Sequence, residues 1–222
     1  MDGASYSLLQ LFRDGGVWMY PLLLCSLLAL GVILAKAYTL RAARRHSRTI
    51  LANVEALGRE GRIAEAIGLA AATPGPVAAI LLAGLQRVQD GRATARDIER
   101  AIKTTGTIEL GFLERGLVVL ATISNVAPLL GFLGTVAGMI SAFGAIADAG
   151  QVEASLVAGG IKVALITTAA GLIIAIPVNI GYNFFVTWID KLIQDMEEGT
   201  TAVLELVWEL EQRKARRVAT AE

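Results

Sequence analysis

The sequence holds a single cysteine, Cys25, and a single histidine, His46, in 222 residues. An internal disulfide is therefore excluded, and neither residue has the neighbours a metal site needs. Charge is scarce as well: Asp, Glu, Lys and Arg make up 18% of the chain, against about 25% in ordinary soluble domains. Twenty basic and twenty acidic side chains cancel, so no net charge draws the chain to nucleic acid. Neither a Gly-x-x-x-x-Gly-Lys-Ser/Thr loop nor a Gly-x-Ser-x-Gly elbow occurs, which removes the usual signs of a nucleotide hydrolase or a serine nucleophile. No cofactor is expected, and the reading is of a protein that is not an enzyme.

Apolar side chains, by contrast, make up 55% of the chain, and they form long runs without a charge. Twenty-one uncharged residues separate Asp14 from Lys36, 32 separate Arg115 from Asp148, and 27 separate Lys162 from Asp190. A helix of about 20 apolar residues crosses a hydrocarbon core about 30 Å thick, so each run predicts a membrane span. The second, at about 1.5 Å per residue, would reach roughly 48 Å and must tilt or project beyond the lipid. A fourth run of 21 residues, from Ala66 to Gln86, contains Thr73-Pro74-Gly75-Pro76. Prolines there would strand backbone groups at mid-bilayer, so it reads as two short helices of a soluble hairpin. Twelve of the twenty Lys and Arg lie between Arg41 and Arg115 and five between Lys191 and Arg217, whereas only Arg13 precedes the first span. The positive-inside rule then places the N-terminus outside and both basic regions in the cytoplasm.

The fold class expected is an all-α membrane protein with three transmembrane helices and cytoplasmic helical extensions. Residues 1–16 form the external N-terminus, 17–40 the first span and 41–112 a cytoplasmic helical region. The second span covers 113–147, an external loop 148–154, the third span 155–189, and a cytoplasmic C-terminal helix 190–222. The first span lacks the basic start and short apolar core of a cleaved signal. Lys36, one turn from its inner end, is expected to snorkel to the headgroups, and His46 to face them. Thr94-Ala95-Arg96-Asp97 resembles a capping box. It opens a helix with apolar positions at Ile98, Ile102, Thr105, Ile108 and Phe112 that nothing stops before the second span. Leu192, Met196, Gly199, Val203, Leu206 and Leu210 form a similar stripe, predicted to pack beside that helix.

In the second span small residues recur at Gly131, Thr135, Gly138, Ala142 and Ala145, and in the third at Ala164, Thr168, Gly171 and Ala175. Such faces let membrane helices approach closely, and packing alone would explain them. Depth suggests more. Thr135 precedes Asp148 by 13 residues and Thr168 follows Glu153 by 15, so both hydroxyls lie roughly 20 Å below the outer loop. A hydroxyl donates and accepts, so two of them could line a narrow polar path, although neither titrates. The uncharged runs of these spans hold no Asp or Glu, so the chain alone lacks a proton-carrying acid. Lys162 is expected to snorkel outward, with the lining of an outer vestibule as the alternative.

The stretch from Ala127-Pro128-Leu129-Leu130-Gly131 through Gly134-Thr135-Val136, followed by Ala164-Leu165-Ile166-Thr167-Thr168-Ala169-Ala170-Gly171-Leu172, Ala175-Ile176-Pro177 and Tyr182-Asn183, resembles the bacterial ExbB/TolQ/MotA proton-channel family, specifically its three-span ExbB/TolQ branch. Pro128, Gly131, Gly134, Gly138, Ala164, Gly171, Ala175 and Pro177 are then residues of helix packing and kinks. The resemblance implies an inner-membrane motor subunit, multi-pass, with its N-terminus periplasmic and its C-terminus cytoplasmic. It implies a homo-oligomeric ring, a pentamer, in the lipid bilayer around a dimer of single-span ExbD/TolR-like subunits, with a TonB-like protein as a further partner. An aspartate of that partner would carry the proton, and Thr135 and Thr168 would face it. Such a subunit converts proton motive force into mechanical work on the cell envelope, in TonB-dependent uptake or in a Tol-type or gliding-type motor. Many TonB- and Tol-linked members carry a glutamate five residues before the third-span threonine, where this chain has Val163, so no acidic relay of its own is assigned. The alternative is a non-conducting membrane scaffold whose glycine faces only assemble an envelope complex.

Overall fold

A computed structural model of the chain describes residues 7–91, 93–151 and 154–219. Among the described residues every regular element is a helix. α1 (Leu8–Asp14) opens on a capping box between Ser7 and Gln10, and a 3-10 turn at Gly16–Trp18 leads into α2 (Met19–Arg59). Then come α3 (Ile63–Ala72), α4 (Pro76–Gln89), α5 (Ala95–Glu114), α6 (Leu117–Ala149) and α7 (Ala154–Ala219). Three stretches are long and apolar enough to cross a membrane: Gly16–Arg59, Ala95–Ala149 and Val157–Glu209. The fold is thus that of an all-α membrane protein. The chain divides into two compact units, Met1–Ala35 with Gly116–Phe184, and Lys36–Arg115 with Phe185–Glu222.

The second unit has an aliphatic core. Ala66 and Ala70 of α3, Ile80, Leu81 and Leu85 of α4, and Ile98 and Ile102 of α5 are buried there. Ile50, Leu51 and Val54 of α2 join them, as do Met196, Val203, Leu206 and Val207 of α7. The Ala66–Gln86 run is therefore a helical hairpin within this core. It turns at Gly75, whose φ of 133° no L side chain adopts easily, and Pro76 starts α4, where a missing N–H costs nothing. Thr94 and Asp97 form the expected capping box: the Asp97 amide donates to the Thr94 hydroxyl at 3.3 Å, and the Thr94 amide donates to the Asp97 carboxylate at 3.0 Å. The stripe from Leu192 to Leu206 faces inward with Gly199 buried, while the side chains of Leu210 and His46 lie outside the described residues.

Three expectations are corrected in this unit. α5 does not run unbroken into the next helix: Arg115 takes ψ 127° and Gly116 φ 89°, and this left-handed glycine ends one helix before the next begins. The α5 stripe is buried only through Ile102, since Ile108 and Phe112 remain 55% and 54% exposed. Lys36 does not snorkel. It is buried, and its Nζ donates to the Leu113 carbonyl at 2.8 Å. That carbonyl lies in the last turn of α5, where helix oxygens lack backbone partners and the dipole is negative, so an ammonium fits there.

In the first unit α6 and α7 pack against each other in opposite directions, and the N-terminal segment is bound to α7. Asp14 and the Lys162 Nζ form an ion pair at 2.6 Å, Phe12 packs edge-on against Tyr20, and Gly15 lies against Met19 and Ile166.

Candidate functional site

The α6–α7 seam is backbone against backbone. A Cβ built on Gly131 would sit 2.8 Å from the Thr167 carbonyl oxygen, one on Gly138 2.5 Å from that of Gly160, and one on Gly171 2.6 Å from that of Ala127. No real Cβ tolerates such distances, so the absence of side chains is what permits the approach. Ala127, Gly131, Gly134, Gly138 and Ala142 of α6 are buried against Ala164, Thr167, Gly171 and Ala175 of α7. Of the predicted kink residues, Pro128 is half-buried inside α6 and Pro177 exposed inside α7. Lacking an N–H, they release the carbonyls of Ser124 and Ile173 from the helix ladder.

Thr167 lies within the third-span pattern, where the sequence assigns it no role, and the structure gives it the central place. It is fully buried, its hydroxyl donates to the carbonyls of Val163 at 2.9 Å and Ala164 at 3.1 Å, and it fills the space opposite Gly134. Its spacing of three and four residues from Ala164 and Gly171 was the available signal. The hydroxyl groups singled out in the sequence lie beside the seam instead of in it. Thr168 Oγ1 donates to Ala164 at 3.1 Å with the Gly131 carbonyl next at 3.4 Å. Thr135 Oγ1 donates to its own helix at Phe132, 2.6 Å away.

Both threonines are half-buried. At about 100° per residue each stands roughly 60° off the line of buried contact residues of its helix. Because the helices run antiparallel, the same sense of rotation puts both on one flank of the seam. Thr168 faces Gly131, so Thr135 is one turn away, about 6 Å along the axis. Next to Thr135 the surface of α6 is a shallow apolar depression lined by Val136, Met139, Ile140 and Phe143. The site is therefore two hydroxyls on the flank of a tight apolar pair of helices, with no acid in either uncharged run. Such a site can orient water or hold a carboxyl group in either protonation state, and it cannot itself titrate. Lys162 is held by Asp14 at the outer end of α7 and ties α1 to that helix. Among the described residues no group of three or more His, Cys, Asp or Glu gathers as a metal site.

Residues 72–198, more than half of the chain and the whole of this seam, match the sequence profile of the MotA/TolQ/ExbB proton channel family. The chain belongs to that family. It is 32% identical over 192 residues to an ExbB homologue of biopolymer transport from Methanothermobacter thermautotrophicus, an alignment covering 86% of this chain and 67% of the relative. A biopolymer transport protein of the ExbB-like type from Synechocystis is 38% identical over 177 residues, 76% of this chain and 66% of its own length. The Tol-Pal system protein TolQ of Haemophilus influenzae is 40% identical over 106 residues, 46% of each. The chain thus spans about two thirds of the length of its first two relatives. Membership of the MotA/TolQ/ExbB family and three apolar helices make it a multi-pass inner-membrane protein of a transport-associated class.

Proposed function

We propose that this chain is the ring-forming subunit of a proton-driven envelope motor. Several copies, five in the arrangement its resemblance implies, surround a pair of single-span ExbD/TolR-like helices, and the titratable acid comes from those helices. The N-terminus lies in the periplasm, and the Lys36–Arg115 region and the C-terminus lie in the cytoplasm. The observation that carries the reading is the placement of Thr135 and Thr168 on one flank of a seam with no acid of its own. A carboxyl group brought to that flank by a partner would find hydroxyls able to bond it protonated or ionised. The membrane potential supplies about 2.3 kcal/mol per charge for each 100 mV, and relative movement of ring and partner would convert it to work on a TonB-like or other envelope protein.

The test is co-reconstitution with the co-purifying single-span protein and measurement of proton flux. Thr135→Val with Thr168→Val should lower partner-dependent flux by at least about tenfold, the equivalent of losing one hydrogen bond of about 1.5 kcal/mol in the rate-limiting state. Unchanged flux removes the hydroxyls from the mechanism. A second reading, a non-conducting scaffold, draws on the backbone contacts at Gly131, Gly138 and Gly171; it predicts assembly without flux in the unsubstituted protein.

A further inference from the structure

Beyond the two threonines, the same flank carries polar groups that the proposed path does not use. On α7, Asn179 and Asn183 are exposed within the third apolar run, and the Asn183 amide nitrogen donates to the Asn179 side-chain oxygen at 2.8 Å and to the Asn179 carbonyl at 3.0 Å. Helical periodicity puts Thr168, Asn179 and Asn183 within a sector of about 60°. On α6, Ser124 is nearly buried on the same side of the seam. Its hydroxyl donates to Ala121 at 2.9 Å, and Pro128 frees its carbonyl from the helix ladder. Two contacts of the N-terminal segment and α2 with α7 lie away from this flank. Ile33 of α2 lies against Gly181, and Gly15 lies against Ile166; both α7 positions are rotated to the opposite side.

Amide groups facing hydrocarbon are costly. The clip satisfies one amide of the pair, whereas the Asn179 Nδ2 has no acceptor among the described residues. Within an apolar span such a donor calls for water or a polar neighbour. Measured along the axis from Thr168, Ser124 lies about 10 Å deeper, Asn179 about 16 Å and Asn183 about 22 Å. Each step is short enough for one to three waters at about 2.8 Å spacing to bridge.

We infer that the Asn179–Asn183 clip and the released Ser124 carbonyl continue the Thr135–Thr168 flank into a hydrated exit that leads protons to the cytoplasmic end of the α6–α7 pair. The inference rests on the proposed function for the entry of protons, and not for the wetness of the flank. Neither amides nor hydroxyls change protonation. They hold a file of waters, each of which accepts one proton and passes one on, so a proton leaving the partner's acid arrives at the cytoplasmic water with no net change in the file. Asn179 is a positioning residue of this file.

Two measurements test it, in the full-length protein assembled with its single-span partner. In a Cys25→Ser background, Asn179→Cys should react with a charged, hydrophilic thiosulfonate from the cytoplasmic side at least about tenfold faster than Ile180→Cys, because only a thiol in contact with water ionises readily. Ile180 is one residue away, rotated about 100° from Asn179, and 65% exposed. Equal rates, or no reaction at Asn179→Cys, overturn the wet flank. In proton flux, Asn179→Leu should cost about tenfold and Asn179→Gln should recover most of it, as a lost and a restored hydrogen bond would. Flux unchanged in Asn179→Leu, or a Gln variant as poor as Leu, overturns the conducting role. If the unsubstituted assembly passes no protons, the proposed function fails, and the labelling ratio still decides whether the flank is hydrated.

Discussion

In the unit of Lys36–Arg115 and Phe185–Glu222, large aliphatic side chains such as Leu81, Leu85, Ile98 and Val203 are buried at 2% exposure or less, and the glycines close to them meet side chains. In the unit of Met1–Ala35 and Gly116–Phe184 the order is inverted. Glycine, alanine and Thr167 form the contact between α6 and α7, and Phe132, Ile140, Ile173 and Ile180 are exposed. The first arrangement suits water, where burying apolar area drives packing. The second suits lipid, which is as apolar as leucine and leaves close backbone contact and hydrogen bonds to hold helices together. One chain of 222 residues thus follows two solvent rules, and substitutions should separate them.

Leu81→Ala should have the largest effect, about 2–5 kcal/mol through a cavity in the aliphatic core. Faster hydrogen exchange in α3 and α4 and a lower melting temperature check it; a cost below that range would mean that this core is loosely packed. Gly138→Ala should cost about 1–3 kcal/mol, since its Cβ would meet the Gly160 carbonyl at 2.5 Å. The control is Gly144→Ala in the same helix, where a Cβ meets nothing within 4 Å; equal melting in detergent for both variants would erase the contrast between seam and lipid face. Lys36→Met should cost about 1–2 kcal/mol by uncovering the Leu113 carbonyl at the end of α5, and exchange at the end of α5 should report it. The smallest effect belongs to the surface. Thr94→Ala should cost about 1 kcal/mol as a lost N-cap.

The cap also has a pH signature. The Thr94 hydroxyl, and then its backbone amide, hold the Asp97 carboxyl below its usual range. A depressed folded value means the contribution is complete above the unfolded pKa of about 4 and is lost as pH falls through the lower folded value. Acid titration of α5 helicity should therefore show that loss in the parent chain and a smaller one in Thr94→Ala, which keeps the backbone amide and loses the hydroxyl.

Much of this was legible in the charge spacing. The gaps after Asp14, Arg115 and Lys162 marked the spans, Thr73 to Pro76 marked the hairpin, and Thr94 with Asp97 marked the start of α5, because each is a local rule of solvation or hydrogen bonding. Partner choice across the fold was not legible. The pairing of Lys36 with Leu113 and of Asp14 with Lys162 spans 77 and 148 positions respectively, and no local pattern encodes it. The α5 stripe misled for the same reason, since Ile108 and Phe112 have the right period and still stand 55% and 54% exposed.

By itself, the sequence determined which segments avoid water and where small residues recur on a helix, since both follow from transfer free energy and a period of about 3.6 residues. Only the tertiary structure decided which of two adjacent threonines is locked in the seam and which stands on its flank. Thr167 and Thr168 differ by one position and about 100° of rotation, and it is the direction from which α6 approaches that separates a packing hydroxyl from one free to meet another molecule.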